Sequence, residues 1–339
     1  MRNEDSALRH SIQWTREIAK NYDGLTVIST YLGNHQEFSP NSRLVELGGG
    51  SLINRLVAFY KLWILALTFY KDRNHLVAFY HMTHKPLNII GPVLRIMGIR
   101  QVLWYSHSRK SLSLRFAMLW ANAIVSPTIR CFPYSTEKVV PVGHGVTTHS
   151  VRLNQIESRD CSEKVLVLGR IARIKRIENL IYAIFESQSR FKISLCGRIE
   201  SKEYLSYLTN EASAQQIELE VLGDLSGESL ENKLSEFCIG FSGTVGSVDK
   251  APLEMNQFGI FVASDNEDLQ TLSGQNEIIC ELFGVTISEF SVREQIAWWK
   301  GLTKTEKKAL SCRLSQFSQT HNTIPRVAQN IQRVLNDSD

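Results

Sequence analysis

A chain of 339 residues, 43% of them apolar and 21% charged, reads as a globular, soluble protein of about two domains at the usual ~100 to 200 residues each. Its six cysteines, Cys131, Cys161, Cys196, Cys238, Cys280 and Cys312, are scattered without a C-x-x-C pair, which argues against a zinc site and a disulfide framework and implies a reduced, cytosolic compartment. The net charge of +4 hides an asymmetry: residues 1–160 hold 19 Lys and Arg against 10 Asp and Glu, a net +9, while residues 161–339 hold 19 against 24, a net −5. A basic N-terminal half suits an anionic membrane surface or an acceptor carrying phosphates; its cations are spread over several elements with no nucleic-acid-binding module, which sets nucleic acid aside.

In chain order, the first element is a helix, "ALRHSIQWTREIAK" (7–20), and no leader of the secretory kind, charged and then apolar, stands before it. Strand-like runs follow at "LTVIST" (25–30) and "RLVEL" (43–47). Gly48 to Gly50 then form a tight turn that resembles a phosphate cradle, although any sharp strand-to-helix turn also uses glycine. The segment "LVAFYKLWILALTFYK" (56–71) is interrupted by Lys61 and falls short of the ~20 apolar residues a spanning helix needs. It reads as a largely buried core helix, the alternative being a helix that lies on a membrane surface with Arg55, Lys61 and Lys71 at its edges.

From there strand and helix patterns alternate. The strands are "HLVAFY" (75–80), "QVLWYSH" (101–107), "AIVSP" (123–127) and "KVVPVG" (138–143) before a polar linker, Thr147 to Glu163. After it come "VLVLG" (165–169), "FKISLCG" (191–197), "LEVLG" (219–223), "IGFSG" (239–243) and "IFVAS" (260–264). Such β-α repetition in two sets predicts an α/β protein of two Rossmann-like domains, with parallel sheets facing a central cleft. The expected bounds are 1–150 and 151–319, with a C-terminal helix at about 320–339 packing back on the first domain.

The stretch "VLVLGRIARIKRIENLIYAI" places four cations, Arg170, Arg173, Lys175 and Arg176, between a strand and a helix whose apolar face is Ile177, Leu180, Ile181 and Ile184. In open α/β sheets ligands bind beyond the carboxyl ends of the strands, and unpaired amides at a helix start favour an anion. A phosphate group is the natural ligand, with solvated loop charges as the alternative.

These residues carry a resemblance. "GRIARIKRIENLIYAI" resembles the GR-x4-K element of the retaining glycosyltransferases of family 4, which have the two-domain GT-B fold. "FSGTVGSVDKAPLEMNQFGIFVAS" (241–264) is similar to that family's E-x7-E segment, and "VPVGHGV", "LCGR" and "EVLGDLS" agree with its other loops in order and spacing from about His75 onward. The resemblance implies a cytoplasmic enzyme, peripheral on the inner membrane face at most. It would move a sugar, with retention, from a nucleotide-diphosphate sugar to a glycan or lipid-linked acceptor in polysaccharide or glycoconjugate assembly, with no metal and no cofactor beyond the donor.

By the same resemblance, Arg170 and Lys175 hold the donor diphosphate, Glu254 holds the ribose hydroxyls, His107 lies near the donor sugar, and Gly197 and Gly223 form glycine loops of the nucleotide-binding domain. The family's first Glu falls on Gly246, so Ser247, Asp249 and Lys250 are candidates to supply its contacts. Arg173 and Arg176 take no family role and read as solvated surface. Beside His107, the residues Arg109, Lys110 and Arg115 are either an acceptor-phosphate site or ordinary loop charges. The alternatives are an epimerase or phosphorylase on the same fold, and a catalytically silent nucleotide-sugar-binding subunit, which Gly246 and the helix in place of the family's opening strand favour.

Overall fold

Continuous β-branched and aliphatic runs suit strands covered on both faces, and they form parallel strands throughout. The computed structural model describes residues 6–30, 38–48, 52–149, 151, 156, 159, 161 and 163–337. They divide into two units, one of residues 1–145 with 324–339 and one of residues 146–323.

In the first unit, β1 (Leu25–Ser29) pairs with β2 (Ser42–Glu46), and β3 (Val77–His81), β4 (Arg100–Trp104), β5 (Ala123–Ser126) and β6 (Val139–Pro141) form a sheet in that order. Alternation along the strands assigns the faces. Tyr80, Leu103 and Ile124 turn to the helices Leu52–Thr68, Lys85–Ile96 and Leu112–Trp120, while Val102, Trp104 and Val125 turn to Trp14 of the helix Ser6–Ala19 and to Val327 and Ile331 of the helix Ile324–Asn336. Gly49 and Gly50 of the glycine turn lie outside the described residues; Gly48 has φ +76°.

The helix Leu52–Thr68 corrects the expectation of a largely buried core helix. Leu62, Leu65 and Ala66 are buried, but Val57, Tyr60, Ile64 and Leu67 are exposed on its other side. A helix apolar all round gives no sequence signal of which face meets the core. Among the described residues, no helix is long and apolar enough to cross a membrane.

The second unit orders its strands β11-β10-β7-β8-β9, with β7 (Lys164–Leu168) central, β8 (Lys192–Cys196) and β9 (Leu219–Gly223) on one side, and β10 (Ile239–Phe241) and β11 (Phe261–Ala263) on the other. The outer edge of β11 is closed by side-chain amides. Gln275 accepts from the Val262 amide at 2.7 Å and donates to the Val262 carbonyl at 3.0 Å, and Gln295 does the same for Ser264 at 2.9 Å each way. Two buried glutamines thereby satisfy backbone groups that no further strand pairs.

Cys161 and Cys238 are joined as a disulfide, with Cα atoms 5.4 Å apart. This corrects the reading of six unpaired cysteines, and the reduced compartment inferred from them loses its basis. Cys161 precedes β7 and Cys238 precedes β10, and these strands are parallel neighbours in which Ile239 pairs with Val165. The two cysteines therefore meet at one end of the sheet although 77 residues separate them.

Candidate functional site

The chain runs β7, β8, β9 in one direction, then returns to lay β10 and β11 on the other side of β7. The order reverses between β7 and β10, and beyond the carboxyl ends of those two strands lies the crevice where open α/β sheets bind ligands. Three glycines keep this crest low. Gly169 has φ +106° and its amide donates to the Cys196 carbonyl at 2.8 Å; Gly197 has φ +145° and its amide donates to the Gly223 carbonyl at 2.8 Å. A Cβ on Gly197 would lie 2.1 Å from the Gly169 carbonyl oxygen, so only glycine fits. Gly243, after β10, is pressed likewise against the Lys175 carbonyl, 2.4 Å from where its own Cβ would be.

The cations divide. Lys175 is buried, its ammonium packs over Gly169, and it forms an ion pair with Asp249. Burial first, then the charge of Arg170, pull Lys175 down to about 8, and Asp249 is its ionic partner. Arg170 is exposed and pairs with Glu200 at 3.0 Å. Arg173 is not simply solvated: its guanidinium lies 5.3 Å from the centre of the Tyr204 ring and 5.9 Å from that of Tyr207. Arg176 is an exposed turn residue with φ +46° that starts the helix Ile177–Glu186.

That helix start is not an open anion site. The Ile177 amide donates to the Tyr204 hydroxyl at 3.0 Å, and that hydroxyl donates in turn to Glu178. The helix Lys250–Gln257 begins differently. Asp249 is its N-cap and accepts from the Lys250 amide at 2.9 Å, so a carboxylate sits at the positive end of the helix beside Lys175.

One turn on, Glu254 is half-buried, and burial raises its carboxyl while the charges of His149 and Lys250 pull it back. Burial likewise brings Lys250 down to about 8, with Glu254 opposing. The sequence reading missed His149: its ring lies 2.8 Å from Glu231 and its amide donates to the Gln257 side chain at 3.0 Å, so it stands over the helix that carries Glu254. Nothing in the linker's composition marks it.

The loop holding Gly246 and Ser247 is fastened rather than slack. The Asn266 side-chain amide donates to the carbonyls of Thr244 and Ser247, each at 3.0 Å, and the Ser264 hydroxyl donates to the Ser242 carbonyl at 2.6 Å. Gly246 itself is exposed with φ +78°. Gly246→Glu should therefore lower the thermal midpoint, the strain of a left-handed side chain costing about 1 kcal/mol.

The residues in the first unit gather at the end of β4. His107, Arg109 and Lys110 are all exposed on the loop after Trp104, with the His107 ring edge-on to Tyr105 at 5.7 Å and Lys110 5.9 Å from the Tyr134 ring centre. Arg115 is exposed on the following helix. Among the described residues, no group of three or more His, Cys, Asp or Glu side chains is placed to hold a metal ion.

No protein-family model and no curated protein sequence matches the chain. Solved structures do. A glycosyltransferase from Rickettsia africae matches with TM-score 0.67 at 10% identity over 98% of this chain and 96% of its own. HepE of Anabaena, solved in complex with UDP and glucose, matches with TM-score 0.64 at 13% identity over 96% and 95%. Sucrose-phosphate synthase from Thermosynechococcus elongatus matches with TM-score 0.64 at 14% identity over 97% and 92%. The chain has the GT-B fold. Within GT-B, the crest beyond β7 and β10 belongs to the C-terminal unit, and the exposed cations after β4 belong to the N-terminal one.

Proposed function

We propose that this GT-B chain moves a sugar from a nucleotide-diphosphate sugar to a glycan or lipid-linked acceptor, with retention of configuration and without a metal. The observation that carries the reading is the crest at the reversal of strand order, where the buried ammonium of Lys175 lies over Gly169 with the charge of Arg170 beside it. UDP in the HepE structures makes a UDP-sugar the first donor to try.

As the glycosidic bond breaks, negative charge grows on the leaving diphosphate, and cations fixed beside it stabilise that state more than the bound donor. Arg170 and Lys175 take that role. Glu254 holds the ribose, and Asp249 and Lys250 face the reacting end. Arg109 and Lys110 receive the acceptor. The fastened loop around Ser247 favours a working site over a silent subunit.

The test is a thermal-shift series of nucleotide diphosphates and nucleotide sugars. Ligand at about 100 times its dissociation constant stabilises the native state by about 2.7 kcal/mol, a shift of several degrees. If no nucleotide at millimolar concentration moves the midpoint, the reading fails. If a nucleotide binds and purified protein neither transfers nor hydrolyses the sugar, the silent-subunit reading replaces it.

Two further outcomes follow. Glu254→Gln should raise the donor's KM more than it lowers kcat, because a ribose contact is remote from the breaking bond; an equal loss in both would move Glu254 to the reacting centre. Affinity for a nucleoside diphosphate should be level below pH 8 and fall above it by up to about tenfold per pH unit as Lys175 loses its proton. Calorimetric titration of UDP against uridine from pH 6.5 to 9.5 reads this directly, and a flat UDP profile would remove Lys175 from the diphosphate site.

A further inference from the structure

We propose that the first unit docks on an anionic membrane through the outer side of its helices Leu52–Thr68, Lys85–Ile96 and Leu112–Trp120. These helices form one layer over one face of the sheet: Leu62 and Ala66, Leu87 and Leu94, and Leu114 and Ala117 turn inward to a common core. The outer side of such a layer normally faces water and is polar. Here it is not. Val57, Tyr60, Ile64 and Leu67 form a stripe spaced i, i+3, i+7 and i+10, with Tyr60 66% and Leu67 61% exposed. Leu112, Phe116 and Leu119 form a second stripe, with Leu112 75% exposed, and Ile96, at 88%, ends the helix packed beside both. The opposite face of the same sheet is the internal control: among described side chains, the helices Ser6–Ala19 and Ile324–Asn336 expose no large apolar residue.

Charge decides what covers this surface. The three helices contain no Asp or Glu, and from Leu47 to Thr136 the chain carries eleven Lys and Arg against Asp72 alone. Lys61, Lys85, Arg95 and Arg115 are all exposed on the layer. A symmetric contact with a second copy would oppose cation to cation, and a nucleic acid would leave the apolar stripes wet. An anionic lipid surface satisfies both features: headgroups meet the cations while apolar and tyrosine side chains enter the boundary below them. The inference does not rest on donor chemistry, so nucleotide binding can survive its failure.

The experiment is sedimentation of the 339-residue chain with vesicles of phosphatidylcholine alone or with about 30% phosphatidylglycerol, at low and high salt. Association with the anionic vesicles, weakening as salt rises, is expected. Leu67→Asp combined with Phe116→Asp should reduce it at least about tenfold without changing the melting curve, because both side chains are exposed. Lys61→Gln combined with Arg115→Gln should weaken it about thirtyfold, at about 1 kcal/mol for each cation near the surface. Absence of association at low salt overturns the proposal, as does association that neither pair of substitutions alters. It is also overturned if analytical ultracentrifugation finds a dimer that the aspartate pair dissociates, since the stripes then face a second copy.

Discussion

Lys175→Met is expected to remove measurable binding of nucleotide diphosphates and to cost the fold about 3 kcal/mol, the two losses having separate causes. The fold loses because Lys175 is buried and Asp249 is its ionic partner; deleting one member of a buried pair leaves the other charged and uncompensated. The Lys250 amide and the helix end still support Asp249, which keeps the cost at the lower end of the range for such deletions. Binding loses because the ammonium beside Gly169 is the buried cation of the crest. The double change Lys175→Met with Asp249→Asn should recover most of the stability and none of the diphosphate affinity. Arg170→Ala is the exposed counterpart: it should leave the midpoint nearly unchanged, since its pair with Glu200 is solvated, yet weaken diphosphate binding by about 1.5 to 3 kcal/mol. Uridine binding should change little in any of these variants. Equal losses for uridine and UDP would place both cations outside the diphosphate site.

The strands were legible because each parallel strand, covered on both faces, is a short continuous apolar run bounded by glycine or polar residues, as "VLVLG" and "FKISLCG" are. What the sequence could not supply was sheet order. Cys161 meets Cys238, and Lys175 meets Asp249, because β10 returns to the far side of β7; neither pair has any signal in spacing. His149 beside Glu231, and Tyr204 closing the start of the helix Ile177–Glu186, were missed because side-chain pairings 82 and 27 residues apart leave no mark in spacing. Gly246 shows a different limit. The sequence displays a glycine where a resembling family has Glu, and only the backbone, at φ +78°, shows that this turn now favours one. The helix Leu52–Thr68 was misjudged because burial depends on which neighbours are present, and its composition is apolar toward both sides.

Gly197→Ala should lower the midpoint far more than Gly223→Ala, although both glycines end neighbouring strands of one sheet and both have positive φ. At Gly223, with φ +82°, an added Cβ meets nothing within 4 Å, so the change costs only backbone strain, about 1 kcal/mol. At Gly197, with φ +145°, the same Cβ would stand 2.1 Å from the Gly169 carbonyl oxygen and 2.5 Å from its carbon. Backbone cannot swing aside as a flexible side chain does, so β7 and β8 must part at their ends. The amide bonds Gly169 to Cys196 and Gly197 to Gly223 flank the collision, and both would lengthen. Strain and lost bonds together should cost about 3 kcal/mol, or about 6 to 12 °C for a unit of this size. The displacement passes directly into Arg170 and the turn to Lys175, so nucleotide-diphosphate affinity should fall in Gly197→Ala and hold in Gly223→Ala. Matching midpoints for the two variants would mean that β7 and β8 do not approach so closely, and the low crest on which the proposed diphosphate site depends would go with them.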